Sequence, residues 1–113
     1  MVLGHVIEGL VNLLWNVSST TNIALVTTAS RENCTQVLKH FNLVNLFDLI
    51  VTGDDVTKAK PSPEGFKSAA EKFGISVENT IIFEDSDVGI EAAKRFGGTI
   101  FRFISSEVMT KDR

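Results

Sequence analysis

One junction constrains this chain more than any other: Thr80-Ile-Ile-Phe83 runs without a linker into Glu84-Asp85-Ser86-Asp87 and then into a helical pattern. A short apolar run that turns directly into a helix start belongs to an alternating α/β fold. It places the residues after the run at the carboxyl edge of a sheet, where open α/β folds bind ligands. Two readings of the acidic residues stand side by side. Glu84 and Asp85 can hold Mg²⁺, a hard cation that takes oxygen ligands and shares them with substrate phosphates. Alternatively, Asp85 or Ser86 caps the helix, and Glu84 or Asp87 answers its dipole.

The same junction occurs upstream. Ile23-Ala-Leu-Val26 ends in Thr27-Thr28-Ala29-Ser30 ahead of another helical pattern, and hydroxyls with free N–H groups at such a turn suit a phosphate. Lys58-Ala-Lys60-Pro-Ser-Pro-Glu64 then offers a cation just ahead of a further helix. Between these points the helical and strand patterns alternate. Ile7, Leu10, Val11 and Leu14 recur at helical spacing, with a polar loop over 16–22. Ser30 can cap a helix whose stripe of Cys34, Val37, Leu38 and Phe41 makes Cys34 a core residue. A strand is expected over Phe47–Val51. Ser62 as N-cap and Pro63 at the first helical position open a helix with Phe66, Ala69, Ala70 and Phe73 inward, and Gly74 stops it. Strands over Thr80–Phe83 and Thr99–Ile104 flank a helix over Asp87–Phe96.

These elements predict one α/β domain over residues 1–113, with 1–22 a leading helix and loop and 105–113 a polar tail. The sheet should be mostly parallel, joined by right-handed crossovers. Consecutive apolar positions at 23–26 and 81–83 predict strands covered on both faces. A length of 113 residues with 43% apolar content supports a single core. The net charge of −3 gives no reason to expect nucleic acid as a partner. A lone Cys34 cannot form an internal disulfide, which fits a cytoplasmic protein. Met1–Trp15 is apolar but lacks a basic start and contains His5 and Glu8, so neither a signal peptide nor a membrane span is expected. Lys58 reads as a solvated loop residue, His40 as a helix-end partner of the dipole, and Trp15 as a packing anchor or an exposed interface residue.

Taken in order, Thr27, Lys60-Pro-Ser-Pro-Glu64 and Glu84-Asp85 with Ser86–Ala93 resemble the haloacid dehalogenase superfamily of phosphatases and phosphomutases, in its β-phosphoglucomutase-like branch. The resemblance spans residues 5–104. It implies a partial Rossmann-like three-layer sandwich acting on a small phosphorylated metabolite. It also implies that Thr27 hydrogen-bonds the transferring phosphoryl group beside Thr28, that Lys60 neutralises charge on nucleophile and phosphoryl oxygens, and that Asp85 with Glu84 holds Mg²⁺.

The family's first motif, Asp-x-Asp at the end of the central strand, has no counterpart here, because the sequence carries no Asp before Asp48. Asp54 and Asp55 are wrongly spaced and follow the later strand, so they are not taken as nucleophile and acid/base. The cap domain that would select the substrate is also absent. The isolated chain is therefore expected to be inactive. Three readings remain: a phosphohydrolase core whose Asp-x-Asp strand lies elsewhere, a non-catalytic phosphate and Mg²⁺-binding or interaction module, or another phosphate-responsive α/β module such as a receiver, whose acceptor Asp would have to stand where Thr27 does. In the family's sheet the nucleophile strand lies between the strands at 23–26 and 81–83. Filling that position calls for a homo-oligomer, a complementing chain, or a rearranged sheet in which the two strands pair directly.

Overall fold

The computed structural model describes residues 7–102. In chain order the elements are α1 (Ile7–Val17), β1 (Ala24–Val26), α2 (Arg31–His40), β2 (Leu49–Val51), α3 (Glu64–Phe73), β3 (Ile81–Glu84), α4 (Asp87–Phe96) and β4 (Thr99–Arg102), with 3₁₀ turns at Gly53–Asp55 and Val77–Asn79. Local chemistry sets most of their ends. Ser30 accepts from the Asn33 N–H at 3.1 Å, and Lys39 and His40 lie in the last turn of α2, where cations meet its carbonyls. Gly74 and Gly97 close α3 and α4 with φ of +67° and +99°, a left-handed conformation that costs glycine little. One expected start moves by a residue. Pro63 (φ −80°, ψ 6°) occupies the cap position of α3, and the Ser62 hydroxyl accepts from the Glu64 N–H in a local turn.

The strands form two parallel pairs. β1 pairs with β2 in the register Ala24↔Leu49 to Val26↔Val51, and β3 pairs with β4 in the register Ile81↔Thr99 to Glu84↔Arg102. Among the described residues β1 and β3 are not paired with each other, so the rearranged sheet is not the arrangement found. One buried core lies over the first pair: Ile23, Cys34, Leu38, Leu43 and Leu46, flanked by Val11, Leu14 and Val17 of α1 and by Leu25, Phe47 and Ile50. On its other face the start of α3 approaches closely. A Cβ on Gly65 would stand 2.7 Å from Val26 Cγ1, and glycine removes that clash. The β1–β2 pair thus lies between helical layers, as a three-layer α/β fold requires.

The second core joins Ala70, Ile82, Ala93 and Phe96 with Phe66, Val77 and Ile100. It covers one face of the β3–β4 pair. The other face carries Ile81, Phe83 and Phe101, which are 60%, 39% and 53% exposed, so the expectation of strands covered on both faces fails here. The reason is topological: the crossovers from β2 through α3 and from β3 through α4 bring both helices to the same side. Phe83 and Phe101 shield each other by stacking, with ring centroids 5.6 Å apart.

Cys34 is 4% exposed, as its stripe predicted, and burial pushes its thiol pKa up. Trp15 is 42% exposed. No helix among the described residues is long and apolar enough to cross a membrane. His5, Phe103-Ile104 and the 105–113 tail lie outside the described residues.

Candidate functional site

Lys60 is where the two strand pairs meet. It belongs to the loop between β2 and α3, directly before a cis Lys60–Pro61 peptide. Its ammonium donates to the Val26 carbonyl at 3.0 Å and to Glu84 Oε2 at 3.2 Å. The first partner ends β1 and the second ends β3, so both carboxyl edges converge on one cation. The pair is largely removed from water, with side chains 14% and 12% exposed. The Phe66 ring lies 5.2 Å from the nitrogen and adds a favourable quadrupole contact. An ammonium has three protons, so two partners leave one donor for a ligand.

Thr27 follows β1 immediately and is buried, while Thr28 beside it is exposed. The Thr27 N–H donates to the Val51 carbonyl at 2.9 Å, extending the strand pairing by one bond. Its hydroxyl oxygen accepts from the Ala29 N–H at 3.1 Å, which fixes the oxygen and leaves the O–H proton to donate. Thr27, Thr28, Thr52, Lys58, Lys60 and Gly65 line a common pocket. Lys58 is exposed in that loop.

The two acidic residues have different surroundings. Glu84 Oε2 takes Lys60, and Oε1 accepts from the Asp85 N–H (3.1 Å), the Ser86 N–H (3.3 Å) and the Ser86 hydroxyl (3.2 Å). Burial would raise its pKa, but the Lys60 charge and these hydrogen bonds hold it below the usual carboxylate range. Ser86, not Asp85, is the cap of α4, accepting from the Gly89 N–H at 3.0 Å. Asp85 shifts the opposite way: burial, then the Glu84 charge and a hydrogen bond with it, push its carboxyl above the usual range. A cation beside Asp85 would relieve that repulsion. No group of three or more His, Cys, Asp or Glu that could hold a metal ion occurs among the described residues. The donors fit Mg²⁺ nonetheless, since that ion is typically bound through one or two carboxylates, with phosphate and water completing the shell.

Sequence reasoning missed several supports of the site. A Cβ on Gly89 would stand 2.0 Å from Glu84 Cδ, so only glycine in the first turn of α4 admits that carboxylate. Thr52, fully buried, and Asp55 form a reciprocal capping box, a signal readable as Thr-x-x-Asp. Asp55 also pairs with Arg31, and Asp54 accepts from the Arg31 N–H at 2.9 Å. These aspartates therefore brace the start of α2. The Thr52 hydrogen bonds, followed by Arg31, depress the Asp55 pKa. Nothing in the sequence marks the Arg31 contacts, which span 23 and 24 residues.

Comparison with known proteins bears on the family and the fold. The chain is 36% identical over 75 residues to a validoxylamine A 7′-phosphate phosphatase of Streptomyces hygroscopicus subsp. limoneus, covering 66% of this chain and 35% of that protein. It is 35% identical over 80 residues to a phosphorylated carbohydrates phosphatase of Thermotoga maritima, covering 71% and 37%. It thus spans about a third of the length of these curated relatives. Among solved structures, a candidate β-phosphoglucomutase from Thermotoga maritima superposes with a TM-score of 0.82 at 33% identity, over 88% of this chain and 47% of that one. CbbY from Rhodobacter sphaeroides, in complex with phosphate, gives 0.80 at 27% identity, over 87% and 45%. The family model for haloacid dehalogenase-like hydrolases matches residues 3–102, and the chain belongs to that family.

Proposed function

We propose that this chain forms the phosphate-binding and Mg²⁺-binding part of a phosphate monoester hydrolase or phosphomutase, acting on a small phosphorylated metabolite in the cytoplasm. The observation that carries the proposal is the Lys60 ammonium held between Glu84 and the carbonyl of Val26, the residue that directly precedes Thr27. Thr27 donates its hydroxyl proton to a phosphoryl oxygen, and Lys60 turns its third N–H to the same group. Both act from a partly buried edge where electrostatic stabilisation exceeds its value in water. Asp85, with Glu84 beside it, would hold Mg²⁺, which when bound neutralises charge on the phosphoryl oxygens.

The attacking carboxylate comes from a further strand, between β1 and β3, contributed by a complementing chain or an additional segment, since a second copy of this sequence, with no Asp before Asp48, lacks the Asp-x-Asp strand as well. Its oxygen forms the new bond to phosphorus as the ester P–O bond breaks, and water then hydrolyses the acyl phosphate. Thr27 has no base beside it in sequence, and Lys60 serves as a cation, so neither replaces that carboxylate. The names of the two relatives, a validoxylamine A 7′-phosphate phosphatase and a phosphorylated carbohydrates phosphatase, support the substrate class. A second reading, a non-catalytic module that keeps these ligands, is favoured by one observation: both Glu84 oxygens are already taken, by Lys60 on one side and by the Asp85 N–H and Ser86 on the other.

Titration of Mg²⁺ in the presence of inorganic phosphate tests the site. Asp85→Asn should weaken Mg²⁺ binding with the fold intact, and Lys60→Ala should weaken phosphate binding. Equal affinities in wild type and variants would overturn the proposal. Purified chain with p-nitrophenyl phosphate and Mg²⁺ should show negligible turnover. Robust hydrolysis lost in Lys60→Ala would reveal a nucleophile within residues 1–113.

A further inference from the structure

The loop that carries Lys60 is closed on itself by a carboxylate. Glu64 Oε2 accepts from the Thr57 N–H at 2.8 Å, and Oε1 accepts from the Thr57 hydroxyl at 2.7 Å and the Lys58 N–H at 3.0 Å. These bonds span seven and six residues and make a ring of 57–64, with Lys60 at its middle and a Ser62 N–H to Ala59 carbonyl bond of 3.0 Å across it. Glu64 is also the first residue of α3, and the next residue, Gly65, lies against Val26 of β1. The ring is therefore fastened to the helix that packs on β1, whose last carbonyl is the one Lys60 reaches.

We infer that Glu64 is a positioning residue: its carboxylate clasps the 57–60 loop onto α3 and thereby sets the reach of the Lys60 ammonium to the phosphate edge. The inference rests on the phosphate site proposed above. A lysine side chain has four rotatable bonds and keeps little directional preference of its own, so the backbone beneath it must be fixed for Nζ to meet two acceptors on different strands. An acidic residue in the first turn of a helix can also serve only the helix dipole. The two roles differ in what glutamine can replace. Its amide oxygen can accept from the Thr57 hydroxyl and the Lys58 N–H as Oε1 does, whereas its NH2 cannot accept the Thr57 N–H in place of Oε2, and it carries no charge for the dipole.

The test combines two readouts on the whole chain. The first is the ¹⁵N signal of the Lys60 ammonium in lysine-labelled protein, which reports a hydrogen-bonded, slowly exchanging group. The second is the affinity for inorganic phosphate by calorimetry. Glu64→Ala should broaden the Lys60 signal into the exchanging lysines and weaken phosphate binding about tenfold, as expected for a displaced binding group. Glu64→Gln, which keeps two of the three clasp hydrogen bonds without the charge, should give a signal and an affinity between those of wild type and Glu64→Ala. Thr57→Val removes one donor and leaves Glu64 in place, so it should give a smaller change in the same direction even if Glu64→Ala fails to fold. An unchanged Lys60 signal in both Glu64→Ala and Thr57→Val overturns the clasp. If wild type binds no phosphate, the functional proposal falls while the ammonium signal still decides the role of Glu64.

Discussion

The two strand pairs are built from similar sequence, yet they reach different degrees of completion. β1–β2 lies between the α1 and α2 side chains on one face and the start of α3 on the other. β3–β4 packs only one face, on α3 and α4, and leaves Ile81, Phe83 and Phe101 to solvent. The difference shows that an apolar strand does not specify its own cover. The direction in which the crossovers run decides which face receives a helix. It also shows where the chain is joined: among the described residues β1 and β3 share no ladder bond, and Lys60, rooted in a loop, spans their ends.

If the first pair carries the more complete core, the largest loss should come from inside it. Leu38 is 1% exposed among Ile23, Cys34, Leu43 and Leu46. Leu38→Ala should cost about 3 kcal/mol, combining lost transfer energy with an unfilled cavity, and urea unfolding would measure it. A cost below about 1 kcal/mol would mean that this core is loosely packed.

A smaller loss, of about 2 kcal/mol, should follow Gly89→Ala, because the added methyl must displace the Glu84 carboxylate. This variant also probes the junction between the pairs. Displacing Glu84 removes one of the two Lys60 acceptors, so the Lys60 ammonium should exchange faster in Gly89→Ala, and an unaffected signal would sever the proposed link.

Acid should weaken the loops that brace the first pair. Asp55 and Glu64 have pKa values depressed by hydrogen bonds from Thr52 and Thr57, with Arg31 assisting Asp55. Depressed carboxylates contribute stability that is present above the ordinary carboxylate range and lost as pH falls through their folded values. Thermal midpoints should therefore fall on acidification below that range. Asp85, whose pKa is raised, works in the opposite direction. Replacing Thr52 with Val should flatten the Asp55 share of this dependence, and an identical pH profile would contradict the assignment.

The smallest effect belongs to the open face. Ile81 is 60% exposed, so Ile81→Thr should change stability by no more than about 0.5 kcal/mol while reducing any self-association through that face. A loss as large as that of Leu38→Ala would mean the face is covered in solution.

The sequence made the helices and the order of elements readable because caps, left-handed glycines and 3.6-residue stripes act within one turn. Ser30, Gly74, Cys34 and Leu38 behave as local rules predict, whereas Phe41, expected on the same stripe, lies past the last turn of α2 and is 47% exposed. Thr27, Lys60, Glu84 and Asp85 were legible through their place after strands or before a helix. What escaped were contacts between distant segments. Gly89 matters because Glu84 folds back over α4, Arg31 because Asp54 and Asp55 return beside α2, and Glu64 because the 57–60 loop closes on it. The open face escaped for another reason: consecutive apolar residues look the same whether or not a helix covers them.

The proposed role of the site rests on a carboxylate-bearing strand standing between β1 and β3. Fusing this chain to a strand ending in Asp-x-Asp, and assaying p-nitrophenyl phosphate with Mg²⁺, confronts that claim. The prediction is Mg²⁺-dependent hydrolysis in the fusion, absent from the unfused chain and abolished by Lys60→Ala or by replacing the first Asp of the fused motif with Asn. A folded fusion, with the added strand paired to both β1 and β3, that still shows no hydrolysis would contradict it, and so would equal activity in the unfused chain.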